Sequence, residues 1–201
     1  MARTASKKAP ASTSRREEII DVAAQVIAER GIKGATVRDI GQAAGILSGS
    51  LYYHFDSKEQ IVLELMLPSV EAQYERGLRL RAEASSPSEA LEALIRDSIA
   101  ATALSPSRSV ILRNEARSFR ELEALAPIAA VRSKTLALFI DVVADGQRSG
   151  EFRREIEADI VVRAMFDGML GAARWFDGPK RRKPARVADA LVDLYVHSLR
   201  A

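Results

Sequence analysis

Four times before residue 90, a serine or threonine stands three places ahead of an acidic or amide side chain: Ser14 with Glu17, Thr36 with Asp39, Ser57 with Gln60, and Ser86 with Glu89. At that spacing the hydroxyl accepts from a free backbone N–H of a helix's first turn while the longer side chain reaches back to the cap, so each pair marks a helix start. Ser86 is followed by Pro87, whose fixed φ suits the first helical position. Behind the first cap, Ile20, Ala23, Ala24, Ile27 and Ala28 recur at helical spacing, and Gly31 offers a left-handed stop. A chain punctuated this way has little length left for strands. The caps, prolines and glycines predict nine helices, over about 14–31, 36–44, 48–54, 57–84, from 86, from 105, to Gly150, 157–176 and 185–199. Pro68 should kink or divide the fourth. The expected fold class is all-α.

The third helix holds an unusual segment, "GILSGSLYYHF", residues 45–55. Leu51 and Phe55 are four apart and share the face that packs on the helices before them; Gly49 and Tyr53 then point away, with Ser50 and Tyr52 on the flanks. Two short helices joined by a glycine turn behind a longer one make a helix-turn-helix over 36–55, within a bundle spanning 14–60. Small residues let a backbone approach a DNA edge, and tyrosine hydroxyls or an imidazole donate to phosphate oxygens. The candidate DNA-binding residues are Thr36, Val37, Arg38, Ser48, Gly49, Ser50, Tyr52, Tyr53, His54 and Lys58. Plainer roles stay open: core aromatics for the tyrosines, a buried histidine, a solvated Arg38.

Residues 35–62, "ATVRDIGQAAGILSGSLYYHFDSKEQIV", resemble the DNA-binding domain of the TetR family of bacterial repressors in turn glycine, spacing, "LYYHF" and "SKEQ". Gly41 departs where the family usually has alanine, and Leu47 where many members carry valine or serine. The resemblance implies an N-terminal helix-turn-helix and a C-terminal helical domain, here 61–201, that binds an effector and dimerises. The wording is also similar to actinobacterial regulators of steroid and fatty-acid breakdown, some of which answer to acyl-CoA thioesters.

Within 61–201, the segment 158–176 carries Asp159, Arg163, Asp167 and Arg174 on one narrow stripe and is otherwise apolar or small. Such a helix needs cover on two sides, one of which a second chain can supply. Val161, Gly168, Gly171, Ala172 and Trp175, with Val187, Leu191, Leu194 and Tyr195 of the last helix, are the candidate four-helix dimer interface; the alternative is that both stripes are this chain's own core. Leu94, Ile111, Leu138, Phe139, Met165, Phe166 and Met169 are candidate walls of an apolar cavity, and Asn114, Arg117 and Arg174 its candidate polar groups, although ordinary core packing or surface ion pairs would also account for them.

Other function classes find little support. The chain has no cysteine and two histidines, at 54 and 197, so disulfides and thiol chemistry are out, and no HExxH, GxSxG or glycine-rich phosphate loop occurs. No metal, cofactor or catalytic site is expected. An all-helical enzyme and a sequence-independent DNA-binding or structural dimer remain the competing readings. No run reaches the ~18 apolar residues of a membrane span, and the start lacks a secretory apolar region, so a cytoplasmic location is expected. Residues 1–13 read as a disordered basic tail. With Arg15 and Arg16 it carries five positive charges and no acid through residue 16, suited either to lying along a polyanion or to solvation alone.

Overall fold

A computed structural model describes residues 14–176 and 181–201, with Ser48 described by its backbone alone. The expected tail at 1–13 and part of the basic loop before the last helix lie outside the described residues. Helix α1 (Arg15–Gly34) opens on a complete capping box between Ser14 and Glu17. Helix α2 (Val37–Ala43) opens on the same device between Thr36 and Asp39. Helix α3 (Ser48–Leu51) is a single α turn, after which the chain continues in turns to His54. Helices α4 (Lys58–Glu83) and α5 (Pro87–Leu104) are capped by Ser57 and Ser86. Their acceptors reach further back than expected: Gln60 accepts from the Asp56 N–H and Glu89 from the Ser85 N–H.

Gly31 takes φ 75°, ψ 163° and bends α1, but the chain resumes a last helical turn to Gly34. The positive φ is there, but with an extended ψ in place of the left-handed helical one, and the helix does not stop. Pro68 does not divide α4 either, which runs as one helix past it with Leu65, Met66 and Val70 buried on both sides. The stretch between Pro106 and Pro127 differs more. Helix α6 (Pro106–Asn114) ends at Glu115, whose φ −104° and ψ 18° are not helical, helix α7 (Ala116–Glu121) follows, and a 3-10 turn (Glu123–Leu125) leads into α8 (Ala126–Ser149). The Ser118 hydroxyl donates to the Glu115 carboxylate at 2.6 Å across this break. Helix α9 (Ala158–Gly171) and helix α10 (Pro184–Tyr195) each finish in a 3-10 turn. Ten α-helices thus stand among the described residues where nine were expected, the tenth being α7. A lone bridge, Phe152 to Arg200, is the only β pairing among them.

Two cores organise these helices. One gathers Leu94, Ile95, Leu138, Phe139, Val143, Val162, Met165, Leu191 and their neighbours from α5, α8, α9 and α10. The other packs Ile19, Ile27, Ile40, Leu51 and Phe55 against Ile61, Leu65 and Met66 of α4. That second core does not end at residue 60: Ile111, Phe119, Leu125 and Ile128 belong to it. Burying four large side chains there stabilises the junction by several kcal/mol, at about 1.5–3 kcal/mol each. The DNA-binding bundle is therefore seated on α6 through α1, with the Lys33–Glu121 ion pair joining α1 to α7.

Candidate nucleic-acid interface and effector cavity

The periodicity of α3 and its following turn sorts residues as elementary helix geometry requires. Leu51 and Phe55 are 1% and 2% exposed, whereas Tyr52 and Tyr53 are 57% and 91% exposed. Free tyrosines at such exposure lose apolar contact they would find in a core; only a partner outside the chain recovers it. A Cβ built on Gly49 meets nothing within 4 Å, so the protein's own packing does not demand a glycine there. Arg38 is exposed and has no carboxylate within salt-bridge distance among the described residues. Val37 is half-buried against the same core, and Ser50 is half-buried beside it.

Other candidates are occupied within the fold. Thr36 accepts from the Asp39 N–H at 3.1 Å and donates to its carboxylate at 2.6 Å; these bonds to Thr36, together with Arg30, hold the Asp39 carboxyl below its ordinary range. Lys58 is a correction: rather than reaching outward to phosphate, its ammonium donates to the carbonyls of Ile32 and Ala35, capping the end of α1. His54 is half-buried, its ring tilted against Phe55, and its carbonyl accepts from Arg16. Arg16 is itself drawn from the expected basic tail into the fold. It grips Glu64 with two bonds of 2.9 and 2.6 Å and lies 4.2 Å over the Phe55 ring. Arg15 donates to the Ala44 carbonyl at 2.9 Å, at the turn between α2 and α3. Both arginines brace the helix-turn-helix from behind.

Behind this module lies a cavity of about 950 Å³ walled by α4 to α9. Of the ten expected lining residues only Phe166 and Met169 reach it. Leu94, Leu138, Phe139 and Met165 are sealed in one core and Ile111 in the other. Asn114 and Arg174 are exposed away from it, and Arg117 pairs with Glu121 on the surface. In sequence, the side chains of a core and those of a cavity wall look alike without their neighbours.

The polar lining comes from residues outside the expected set. Arg76, Arg108, Arg120, Arg132 and Arg163 face the cavity with Asp97 and Asp167. Arg76 is neutralised by Asp97 at 2.8 and 3.2 Å, and Arg163 by Asp159. Arg120 and Arg132 have no carboxylate partner among the described residues. Arg132 stacks 5.5 Å over Phe119, and burial, reinforced by the neighbouring charge of Arg120, lowers its pKa. Arg108 bonds Ser105 at 3.1 Å, yet its Nε is buried without a partner. Two guanidinium groups without a carboxylate partner and an orphaned Nε give this hydroxyl-rich cavity a cationic lining of the kind that suits an anion. The readable signal is arginine on the inner stripe of a helix: Arg108, Ser109 and Leu112 on α6 behind its N-cap Ser105, and Ala129, Arg132, Ser133 and Leu136 on α8.

The expected dimer residues divide in two. Val161, Ala172, Val187 and Leu191 are at most 7% exposed within this chain's own core, and Gly171 is buried. Gly168 makes room for Tyr195, whose hydroxyl would sit 2.7 Å from an added Cβ and donates to the Ala164 carbonyl at 3.2 Å. Its smallness serves contact within the chain. Trp175, in the turn after α9, and Leu194 on α10 instead remain about half exposed, and so does Ile160 on α9, which was not among the expected residues.

Residues 19–65 match the family described as bacterial regulatory proteins, tetR family, and residues 84–199 the tetracyclin repressor-like C-terminal domain. The chain belongs to the TetR family. Over 163 residues, 81% of this chain and 80% of the relative, it is 35% identical to the HTH-type transcriptional repressor KstR2 of Mycolicibacterium smegmatis. The solved ketosteroid transcriptional regulator KstR2 of Mycobacterium tuberculosis superposes with a TM-score of 0.85 at 30% identity, covering 97% of this chain and 100% of that one. AibR, solved with isovaleryl coenzyme A and operator DNA, shares the fold at a TM-score of 0.74 and 23% identity over 91% of this chain and 98% of that one. The TetR family and these relatives are transcriptional regulators rather than enzymes. No cluster of metal-ligating side chains occurs among the described residues, and no described helix is long and apolar enough to cross a membrane.

Proposed function

We propose that this TetR-family member is a cytoplasmic, homodimeric, ligand-responsive repressor that binds a palindromic operator and leaves it when an acyl-CoA-like thioester fills the cavity. The observation that carries this reading is the position of α6. One side of it walls the cavity through Arg108, Ser109 and Leu112; the other packs Ile111 into the core of the helix-turn-helix. An anion drawn to Arg108, Arg120 and Arg132 must settle against α6, and α6 cannot shift without moving α1. The cavity's mixture of unpaired arginines with Phe166, Met169 and Leu170 suits a ligand with an apolar acyl part and a phosphate-bearing part. The complex that AibR forms with isovaleryl coenzyme A supports this class of effector by analogy of fold.

Dimerisation would use the half-exposed Ile160, Trp175 and Leu194. The paired recognition helices must then enter successive major grooves, about 34–36 Å apart. A thioester that favours another spacing weakens operator binding by its difference in affinity for the two forms, typically ~1–3 kcal/mol. Steroid or fatty-acyl thioesters are the first effectors to try.

The test is a footprint of the purified protein on DNA upstream of its own gene, followed by titration with isovaleryl, long-chain and steroid acyl-CoA. A protected palindrome released by one of these is the expected result. Equal affinity for all sequences at physiological salt would remove the operator from this account, and a footprint indifferent to every thioester would remove the effector.

A further inference from the structure

Every other helix that starts before residue 105 opens on a hydroxyl: Ser14, Thr36, Ser57 and Ser86 each accept from a first-turn N–H. Helix α3 does not. Its N-cap is Leu47, with φ −65° and ψ 140° and no side-chain bond to the helix. Leucine is among the poorest N-cap residues, and replacing a capping hydroxyl by an aliphatic side chain typically destabilises a helix start by ~1 kcal/mol. On a single-turn helix that penalty is large. Among the described residues nothing offsets it, because Leu47 is 81% exposed while its neighbour Ile46 packs against the core.

The place of Leu47 says what would offset it. It stands at the N-terminal end of the recognition helix, ahead of Gly49, and is exposed to solvent as Tyr52 and Tyr53 are. The N-terminal residues of such a helix are the ones that reach base edges in the major groove. A leucine side chain has neither donor nor acceptor, so phosphates and the polar base edges offer it nothing. The one apolar group in the major groove is the C5-methyl of thymine. We infer that Leu47 reads a thymine methyl in each half-site of the operator, so that a residue poor at capping its own helix determines sequence specificity. This rests on the proposed operator binding and adds to it one base and one atom of that base.

The experiment exchanges thymine for uracil, which removes the methyl and leaves the hydrogen-bonding edge intact. Operator duplexes carry deoxyuridine at one symmetric pair of thymine positions at a time, and affinities are measured for the wild type and for Leu47→Ser. Burying one methyl is worth about fourfold in affinity. One pair of positions should therefore weaken the wild type about fourfold per half-site and roughly tenfold or more for the dimer. Leu47→Ser should bind the natural operator as weakly as the wild type binds the uracil duplex, lose nothing further on that duplex, and melt no lower than the wild type because a cap is restored. The inference is overturned if no thymine position matters to the wild type, or if Leu47→Ser keeps the full thymine preference. A wild type that selects no operator at all brings down the DNA-binding reading with it; one that selects an operator but ignores the methyl brings down the Leu47 assignment alone.

Discussion

Arg108 places its Nη2 3.6 Å from the Asp21 Oδ1, so a side chain that walls the cavity also faces the first helix of the DNA-binding module. An anion entering the cavity competes with Asp21 for the same guanidinium. Exchanging Arg108 for Gln should raise the thioester concentration needed for operator release about tenfold, the scale of one lost charge-assisted bond. Asp21→Asn should leave operator affinity within about threefold, as expected of an exposed pair, and lower that concentration. Anisotropy titrations on labelled operator read both.

Arg132 is half-buried beside the like charge of Arg120, with no acid at hand among the described residues. An unpaired buried cation opposes folding, and an apolar residue of similar length relieves it. Arg132→Met should raise the melting temperature by a few degrees while abolishing the response to an anionic effector. Calorimetry and operator release, measured on the same preparation, would show stability and function moving in opposite directions.

Tyr53 is 91% exposed and supports nothing inside the chain. Its replacement by Phe should therefore leave helicity and melting temperature unchanged. A hydroxyl bonded to a charged phosphate contributes about 1.5–3 kcal/mol, so operator affinity should fall roughly tenfold or more. Unchanged affinity at 0.15 M salt would take Tyr53 out of the interface.

Glu121 joins α1 to α7 through Lys33 at 2.8 Å and pairs with Arg117 on its own helix. Bonds to Lys33 and Arg117 hold its carboxyl down at about 2, against 4.5 ordinarily. A folded value below the unfolded one means the stabilisation is present in full above pH ~4.5 and is lost as pH falls toward 2. The melting-temperature gap between wild type and Glu121→Gln should be small, since the group is exposed, constant at neutral pH, and closed near pH 2.

Gly146 lies under Phe152, whose ring would be 2.2 Å from an added Cβ, and Phe152 donates its N–H to the Gly146 carbonyl at 3.0 Å. Gly146→Ala must push a buried ring aside and should destabilise the protein by about 1–3 kcal/mol, visible in urea melts, without altering the DNA-facing surface.

What the sequence disclosed follows the range of the forces involved. Caps act over three residues and the α3 face over four, so Ser14, Thr36, Leu51, Phe55 and the exposed tyrosines were legible. The role of Lys58 was not, because the carbonyls it caps lie 26 and 23 residues earlier and face it only once α1 has turned at Gly31. Helix α7 was hidden for a similar reason: the break at Glu115 sits where that carboxylate meets the bend of α1. The cavity was least visible. Methionine and phenylalanine advertise burial, not whether a void adjoins them, and Arg132 becomes notable only when Phe119 and Arg120 are seen beside it.

The seat of the helix-turn-helix bears on how such regulators can be recombined. Because Ile111, Phe119, Leu125 and Ile128 complete the hydrophobic interior beneath α1 and α2, a reading head cut at residue 60 and grafted onto another body would arrive with its underside unmatched. A working chimaera must carry the stretch from Pro106 to Ile128 along with the head, and with it the part of the cavity wall that Arg108, Ser109, Leu112, Phe119 and Arg120 form.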